Sequence, residues 1–356
     1  MSAEAQLQEL IARIIPVDGT FEADARERLD SLTKPPGSLG RLEDLAARVA
    51  IVQHDVRPSA TPSAIVLMAG DHGVVAEGVS PYPQDVTWQM VANFSAGGAA
   101  INQLAKHAGA KLVLVDVGVV ADTSGFADVV QAKVRPGTEN MAVGPAMTRE
   151  EAAEALLTGA RVAAELVAAG VRVIGTGEMG IGNTTAAAAL AAAFTGTEPG
   201  SVVGRGTGLD DAGVAHKAEV IRRALRVNGT DELDALGVLA AVGGLEIAGM
   251  AGVMLGAAAA GVCAVSDGFI SGAAALAALR LSPDMAGYIF PSHRSVEPGH
   301  TVVLEALGLE PVLELDMRLG EGTGAALAIE IIGAACAVMS GMATFAEAGV
   351  SGADEA

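Results

Sequence analysis

The residues that could carry chemistry first appear in a glycine-dense segment, VRVIGTGEMGIGNTTAAAAL (171–190). Gly175, Gly177 and Gly180 match the G-x-G-x-x-G pattern of dinucleotide-binding loops. The pattern encloses a carboxylate, Glu178. Glycines allow a ligand to approach the backbone, and the first turn of a helix favours an anion. Three interpretations are open: a dinucleotide loop, a phosphate-binding turn that holds a carboxylate, or a turn whose glycines serve packing alone.

The surroundings of this loop do not match those of a dinucleotide site. Such a fingerprint belongs to the first strand–helix unit and is followed about twenty residues later by an acid at the end of the next strand. Glu198 has that distance, but it lies in the turn TGTEPGS with no strand before it. The interpretation as a phosphate-binding turn is kept, because Asn183, Thr184 and Thr185 begin the following helix with polar side chains.

A second glycine loop, GRGTGLDD, contains Gly204, Gly206 and Gly208 and also precedes a predicted helix. Lys217 lies on that helix. The two loops and this lysine could together bind one phosphorylated ligand. Spacing alone favours the alternative that Lys217 is a solvated lysine, because helix lysines usually keep the ammonium group in water.

A third loop, RLGEGTGAALA, places a carboxylate between two glycines. Glu321 stands between Gly320 and Gly322, directly before an apolar helix. A carboxylate in this position lies close to the backbone and is a candidate general base. It is equally a helix N-terminal acid that stabilises the helix dipole, and the residues alone leave the two roles open.

A fourth segment, MAGDHGVVAEGVSPYPQDVTWQM, begins where an apolar strand ends at Asp71 and His72. Its Ser80, Tyr82 and nearby Trp88 are suited to form a wall for a flat aromatic ligand. The alternative is an ordinary proline-rich turn at the protein surface.

Composition and motif spacing argue against several other classes of function. The formal net charge of −20 argues against a nucleic-acid-binding protein, because phosphate backbones need a basic surface. The histidines show no metal-ligand spacing, and Cys263 and Cys336 lie in apolar stretches where buried thiols are expected. No G-x-S-x-G elbow and no G-x-x-x-x-G-K-[ST] loop occurs, which weakens hydrolase and P-loop interpretations. The N-terminus is amphipathic and acidic, unlike a signal peptide.

Apolar runs without polar alternation, separated by helical stretches, predict an α/β fold with a parallel, Rossmann-like sheet flanked by helices on both faces. Strands are predicted at 63–73, 110–119, 171–174 and 287–295. Helices are predicted at 4–15, 22–32, 38–53, 84–108, 149–169, 184–194, 211–227, 233–261 and 322–348. Ligands of such folds bind at the carboxyl ends of the strands, where the Asp, His, Glu and Ser residues of this chain collect.

Two domains are predicted. Residues 33–320 form a large α/β domain that binds substrate, and residues 1–32 together with 321–356 form a small helical domain. The uncharged stretch 247–266, IAGMAGVMLGAAAAGVCAVS, is long enough for a membrane span, but it is rich in Ala and Gly and lacks basic or aromatic flanks. We therefore expect a buried helix pair in a cytoplasmic protein, rather than a membrane or scaffold protein.

Several segments, in one order along the chain, resemble the nicotinate-nucleotide–dimethylbenzimidazole phosphoribosyltransferase family. They are TKPPGSLGRLE, AGDHGVVAEGVSPYPQDVTWQMVANFSAGGAAIN, GTGEMGIGNTTAAAAL, GRGTGLDD, DGFISGAAALAA, PSHRSVEPGH and RLGEGTGAALA, and the resemblance extends to the tail at 343–351. It implies an enzyme of cobalamin lower-ligand biosynthesis. Such an enzyme transfers phosphoribose from nicotinate mononucleotide to 5,6-dimethylbenzimidazole, giving α-ribazole 5′-phosphate and nicotinate. The resemblance also implies a homodimer that needs neither a metal nor another cofactor.

The same resemblance assigns roles to individual residues. It implies that Glu321 is the general base. The substrate-binding residues that it implies are Glu178, Lys217, Ser80, Tyr82, Gln89, Met179, Gly177, Gly180, Asn183, Gly204, Gly206, Ser292, Arg318 and Leu319. Among them, Ser80, Tyr82 and Gln89 shape the benzimidazole pocket. The alternative function is an NAD-dependent oxidoreductase that uses the G-x-G-x-x-G loop.

Overall fold

The computed structural model of the chain describes residues 1–206 and 208–351. Its strands, numbered along the chain, are β1 (Ser63–Gly70), β2 (Lys111–Gly118), β3 (Val129–Gln131), β4 (Val173–Met179), β5 (Cys263–Ser266) and β6 (Ile289–Pro291). They form a sheet in the order β3-β2-β1-β4-β5-β6, and each of these neighbouring pairs is parallel. The predicted parallel α/β fold is confirmed.

Helices alternate with most of these strands. The α-helices of the described residues are α1 (Ala3–Ile11), α2 (Glu22–Ser31), α3 (Arg41–Gln53), α4 (Val86–Ser95), α5 (Ala100–His107), α6 (Arg149–Ala168), α7 (Asn183–Thr195), α8 (Pro199–Val202), α9 (Asp211–Asn228), α10 (Ala235–Val242), α11 (Leu245–Ala259), α12 (Phe269–Leu281), α13 (Pro298–Leu307), α14 (Thr323–Gly341) and α15 (Phe345–Ala348). Because parallel strands need crossover connections, the helices lie over both faces of the sheet.

The central strands are buried on both sides. All eight residues of β1, SAIVLMAG, are buried, and so are all four of β5. A strand covered on both faces needs no polar alternation, which explains the continuous apolar runs in the sequence. The register pairs Met68 with Glu178 and Ala69 with Met179. The carboxyl ends of β1 and β4 therefore finish at the same edge of the sheet.

The G-x-G-x-x-G pattern does not form a dinucleotide loop. Gly175 and Gly177 lie inside β4, and only Gly180 lies in the turn before α7. The pattern depends on its first glycine forming the tight turn after the strand. Two of its three glycines are strand residues here, so the geometric basis for a dinucleotide site is missing.

Two hydrophobic cores fill the space between the sheet and its helices. One contains α6, α7, α10, α11 and α12, and α1 packs on the same face against α6 and α11. The other contains α3, α5 and α14. At the crossing of α6 and α11, a Cβ added to Gly252 would lie 1.8 Å from the carbonyl oxygen of Leu156. Glycine is therefore required for the backbones of the two helices to approach this closely.

Several element boundaries differ from those predicted. The stretch 247–266 is not a helix pair, because α11 ends at Ala259 and the rest of the stretch contains β5, a strand that the sequence analysis missed. The predicted helices 84–108 and 233–261 are each divided in two, and β3 was also missed. Within the described residues, α14 is long and apolar enough to cross a membrane by length and composition, but it packs against α3, α5 and β4.

The contacts of the chain ends bear on the predicted small helical domain. Helix α2 is joined to the C-terminal segment, because Arg28 Nε donates to the carbonyl oxygen of Met339 at 3.1 Å and Leu32 pairs with Thr344. Helix α1 lies on the opposite face of the sheet from α14. The division into residues 33–320 and the two chain ends stays a prediction.

Candidate active site

A cavity of about 420 Å³ lies at the carboxyl ends of β4 and β5. Of the residues that the sequence analysis singled out, its lining includes Tyr82, Glu178, Met179, Gly180, Asn183, Gly206, Gly320, Glu321, Arg318 and Leu319. All four segments that the sequence singled out for chemistry therefore contribute residues to this one cavity. This is the edge of the sheet at which ligands of parallel α/β proteins bind.

Glu321 lies on a tight turn directly before α14. Its backbone is left-handed, with φ of 65°, between Gly320 at 85° and Gly322 at 92°. The backbone N–H of Ile101 approaches its Oε2 atom at 3.4 Å. Burial raises the pKa of the Glu321 carboxyl, and the negative charge of Asp267 raises it further. A carboxylate of raised pKa facing a cavity has the properties of a general base.

Glu178 ends strand β4 on the same side of the cavity. Its Oε2 atom accepts a hydrogen bond from the side-chain amide of Asn183, at the start of α7. Burial and the negative charges of Glu246 and Asp267 raise the pKa of Glu178 to about 8. This carboxyl is therefore largely protonated at neutral pH, and a cation placed beside it would favour the ionised form.

Asp267 and His293 complete the floor of the cavity. Asp267 is 1% exposed and accepts backbone hydrogen bonds from Gly322, Gly324 and Ala325 at 3.1, 2.7 and 3.1 Å. His293 Nδ1 lies 3.7 Å from the Asp267 Oδ1 atom. Burial raises the pKa of Asp267, and His293 and the backbone N–H groups oppose that rise.

Lys217 belongs to the neighbouring end of the site. It is 2% exposed, so the solvated-lysine alternative is wrong, and its Nζ atom donates to Thr184 Oγ1 at 2.8 Å. Burial lowers the pKa of Lys217 to about 8, against the opposing effect of the Glu297 carboxylate. With Ser80, Arg205 and the backbone of residues 180–184, it lines a small cavity of about 30 Å³. This cavity shares Gly180, Ile181, Asn183 and Thr184 with the large one, so the two adjoin.

The remaining wall of the large cavity is apolar. Tyr82, Val86 and Met90 come from the segment at the start of α4, and Leu319 faces them from the Glu321 loop. Leu319 and Tyr82 are 58% and 48% exposed. A flat apolar ligand suits this wall. Of the residues predicted for the aromatic pocket, Tyr82 lines this cavity and Ser80 lines the small one, whereas Trp88 lines neither and donates from Nε1 to the Asp122 carbonyl oxygen at 2.9 Å.

Four of the predicted substrate-binding residues do not line either cavity. Gln89 lies on the exposed side of α4, one position from Met90. Gly177 lies behind the Glu321 backbone, and Gly204 lies against Glu297. Ser292 is buried beneath the floor, where its hydroxyl donates to the Asp267 carbonyl oxygen at 2.9 Å. Gly177, Gly204 and Ser292 therefore sit where they support the lining.

A buried ion pair lies behind Glu178. His72 Nε2 is 2.6 Å from Glu246 Oε1, and both side chains are fully buried. Although burial opposes it, the Glu246 charge raises the pKa of His72. Asp71 accepts the backbone N–H of Val120 at 2.8 Å. Asp71 and His72, which follow β1, therefore lie behind the lining residues and do not line either cavity themselves.

The sequence analysis missed several lining residues, above all Asp267, His293 and Glu297. Asp267 directly follows β5, which was itself missed, and His293 follows β6. For Asp267 the available signal, a polar residue at a strand end, depended on finding β5, whereas His293 lies within the strand predicted at 287–295 and its polar character at that strand end was the signal. Glu297 accepts the backbone N–H of Gly206 at 3.0 Å, a contact that no local pattern reveals.

Known proteins similar to this chain agree on one family. A family model described as phosphoribosyltransferase matches residues 14–350. The nicotinate-nucleotide–dimethylbenzimidazole phosphoribosyltransferase of Desulforamulus reducens is 54% identical over 346 residues, 97% of this chain and 99% of that protein. The protein of the same name from Chloroflexus aggregans is 53% identical over 350 residues, 98% of this chain and 99% of that protein. The crystal structure of CobT from Thermus thermophilus matches with a TM-score of 0.89 and 50% identity, over 93% of this chain and 99% of that chain.

Proposed function

Because the chain belongs to the nicotinate-nucleotide–dimethylbenzimidazole phosphoribosyltransferase family, we propose that it transfers phosphoribose from nicotinate mononucleotide to 5,6-dimethylbenzimidazole. The products are α-ribazole 5′-phosphate and nicotinate. The observation that carries this proposal is the convergence of two carboxylates, Glu178 and Glu321, between a buried lysine and an apolar wall.

The chemistry of the transfer needs one proton acceptor. Nicotinate is bonded to the ribose as a cationic pyridinium and leaves as a neutral ring nitrogen, so it needs no general acid. The bare nitrogen of the benzimidazole attacks the anomeric carbon, and the other ring nitrogen loses its proton. Attack from the face opposite the leaving group inverts the anomeric configuration from β to α.

Glu321 is proposed as that proton acceptor. It lines the cavity, and its raised pKa makes it a stronger base than an ordinary glutamate. It shares this cavity with Tyr82, Val86 and Met90, whose segment is suited to hold the benzimidazole ring. Met179 lines the same cavity. Ser80 in the adjoining small cavity and Gln89 beside Met90 complete the proposed specificity residues.

Glu178 is proposed to face the carbon at which the bond is exchanged. The transition state carries oxocarbenium-like positive charge, and a carboxylate stabilises such charge best in a buried site. The pyridinium of the bound nucleotide supplies the positive charge that ionises Glu178. Asn183 fixes the orientation of the carboxylate through its hydrogen bond to Oε2.

The 5′-phosphate is proposed to lie in the small cavity. The start of α7, the positive end of its helix dipole, lines this cavity, and Lys217 supplies a positive charge. Arg318, whose Nη1 atom donates to the Gly206 carbonyl oxygen at 3.1 Å, lies beside this end of the site. Gly206, where a Cβ would lie 3.4 Å from Lys217 Nζ, leaves room for the phosphate and ribose to approach the backbone, whereas Gly180 and Gly204 make room for the Gly70 carbonyl oxygen and the Glu297 carboxylate.

We further propose a cytoplasmic homodimer. The exposed side chains of Tyr82 and Leu319 at the cavity wall, 48% and 58% exposed, are apolar surface that a second copy is able to cover. Light scattering on the purified protein measures the number of subunits. A monomer at enzyme-assay concentrations would contradict the dimer.

The experiment that tests the function is a product assay by liquid chromatography with nicotinate mononucleotide and a panel of bases. We expect α-ribazole 5′-phosphate and stoichiometric nicotinate with 5,6-dimethylbenzimidazole. Absence of nucleotide exchange with every base would overturn the proposal. No observation favours the NAD-dependent oxidoreductase, since the glycine pattern lies largely within β4.

A further inference from the structure

Helix α14 begins without a capping side chain of its own. Its N-cap residue is Gly322, which has no side chain to accept the free N–H groups of the first turn. The Asp267 carboxylate, which follows strand β5, accepts them instead. Oδ1 accepts from Gly324 at 2.7 Å and from Ala325 at 3.1 Å, and Oδ2 accepts from Gly322 at 3.1 Å. A residue 55 positions earlier in the chain therefore caps the helix that follows Glu321.

The turn held by this cap is unfavourable for a glutamate. Glu321 has φ of 65°, a left-handed conformation that is unfavourable for an L-residue with a Cβ because the Cβ approaches the following carbonyl oxygen. Such a conformation persists only where the surrounding structure enforces it. Here Asp267 holds the C-terminal side of the turn, and Thr323 Oγ1 donates to the Gly320 carbonyl oxygen at 2.8 Å across it.

Asp267 is itself held rigidly. Its backbone N–H donates to Ser271 Oγ at 3.0 Å, and its carbonyl oxygen accepts from Ser292 Oγ at 2.9 Å. His293 Nδ1 lies 3.7 Å from Oδ1. Both carboxylate oxygens accept N–H groups, as fits the ionised form. The side chain is buried at the floor of the cavity, with Glu321 on the adjoining turn.

From this geometry we propose that Asp267 is a positioning residue for the transfer reaction. It holds the turn 320–322 in the left-handed form that aims the Glu321 carboxylate into the cavity, and it places a second negative charge beside that carboxylate. This inference rests on the proposed function, since it assigns Asp267 a part in the step for which Glu321 is the base.

The charge of Asp267 has an effect that a purely structural cap would lack. Burial raises the pKa of Glu321, and the Asp267 charge adds to that rise. The other charged or titratable groups of the cavity lining are Glu178 at the end of β4, His293 after β6, Glu297 before α13, Tyr82 before α4 and Arg318 on the Glu321 loop. A neutral residue at position 267 should therefore lower the pKa of Glu321 and make it a weaker base.

The test compares Asp267→Asn with a matched control, Asp234→Asn. Asp234 caps α10 by accepting the Gly237 N–H at 2.8 Å, on the surface and outside the cavity lining. We expect Asp267→Asn to lower kcat ~10²-fold, as a misplaced catalytic group does, with little change in the KM of nicotinate mononucleotide. The acidic limb of the kcat profile, which reports the enzyme with nucleotide bound and Glu178 already ionised, should move to lower pH. The control should keep wild-type kcat and an unchanged profile.

Each other outcome counts against the inference. A raised KM with wild-type kcat would make Asp267 a substrate-binding residue, and a lower kcat with an unmoved acidic limb would leave it a structural cap. If Asp267→Asn fails to fold, Asp267→Ser, a neutral residue that still caps helices well, takes its place. The wild-type kcat profile is also decisive, because an acidic limb at or below about 4.3, the ordinary glutamate pKa, would overturn the inference without any variant. Inactivity of the wild-type enzyme would instead refute the proposed function.

Discussion

Gly177 in strand β4 lies directly against the backbone of Glu321. A Cβ added at Gly177 would lie 2.3 Å from the carbonyl oxygen of Glu321 and 2.7 Å from the N atom of Gly322. Both contacts are with backbone, so the Glu321 turn must shift to admit any side chain here. Gly177 is thus a condition for the position of the proposed base, although it lines neither cavity.

Gly177→Ala should therefore impair turnover more than stability. A displacement of the base of about 1 Å is expected to lower kcat ~10²-fold, and the change in KM should be smaller. Steady-state kinetics and a thermal melt measure the two effects. The control is Gly144→Ala, where an added Cβ has no neighbour within 4 Å. Wild-type kcat in Gly177→Ala would show that the turn tolerates displacement.

Glu321→Gln should lose most turnover and keep nucleotide binding. The amide cannot accept the benzimidazole proton, and loss of a general base typically lowers kcat ~10²–10⁴-fold. Product formation and calorimetric binding of nicotinate mononucleotide are the two measurements. Glu310→Gln, on the exposed surface, is the matched control and should behave as wild type. A Glu321→Gln enzyme with near wild-type kcat would remove Glu321 from the role of base.

Binding of nicotinate mononucleotide should release a proton from Glu178. The pKa of Glu178 is about 8, so the group is mostly protonated at pH 7. The pyridinium cation lowers that pKa and ionises the group. Calorimetry in buffers of different ionisation enthalpy counts the protons. The release should disappear in Glu178→Gln, which should also lose most turnover; equal proton release in both proteins would contradict the assignment.

The Glu178 carboxyl should lower the free energy of unfolding at alkaline pH. A glutamate whose folded pKa is raised to about 8 favours the folded state while it is protonated. This contribution is complete below the ordinary glutamate pKa and is lost as the pH rises through about 8. Glu178→Gln should therefore have a higher Tm than the wild-type protein above that pH. Equal pH dependence of Tm in the two proteins would argue against the raised pKa.

The KM for the nucleotide should depend on the ionisation of Lys217. Burial lowers the pKa of Lys217 to about 8, so the positive charge is present below that pH and lost above it. The KM of nicotinate mononucleotide should rise as the pH passes about 8. Lys217→Ala should raise the KM at neutral pH and abolish this dependence, with a smaller effect on kcat. An unchanged KM in Lys217→Ala would show that the lysine does not bind the phosphate.

The sequence was sufficient for the fold class because the central strands β1, β2 and β4 contain apolar runs without polar alternation. It failed at β5, which has four residues and follows an equally apolar helix, so no change in composition marks the boundary at Cys263. Missing β5 also hid Asp267, whose polar character at a strand end would have marked it as a site residue.

The chemical segments were recognisable because glycines and carboxylates alternate in them. Their mutual arrangement was not, since it depends on contacts between distant segments. Asp267 reaches the turn at Gly322 from 55 residues away, and Lys217 reaches Thr184 from 33 residues away. Burial of Lys217 in particular follows from the packing of α9 on α7, which helix spacing does not reveal.

The apolar and the charged parts of the cavity lining come from different parts of the chain. The apolar wall formed by Tyr82, Val86 and Met90 belongs to one short segment, whereas the carboxylates Glu178, Asp267 and Glu321 come from three separate strand or helix ends. Exchange of the segment around residues 82–90 alone would alter the choice of attacking base and leave the charged groups in place. Under the proposed function, the range of accepted bases is therefore able to change during evolution while the carboxylates that carry the reaction stay the same.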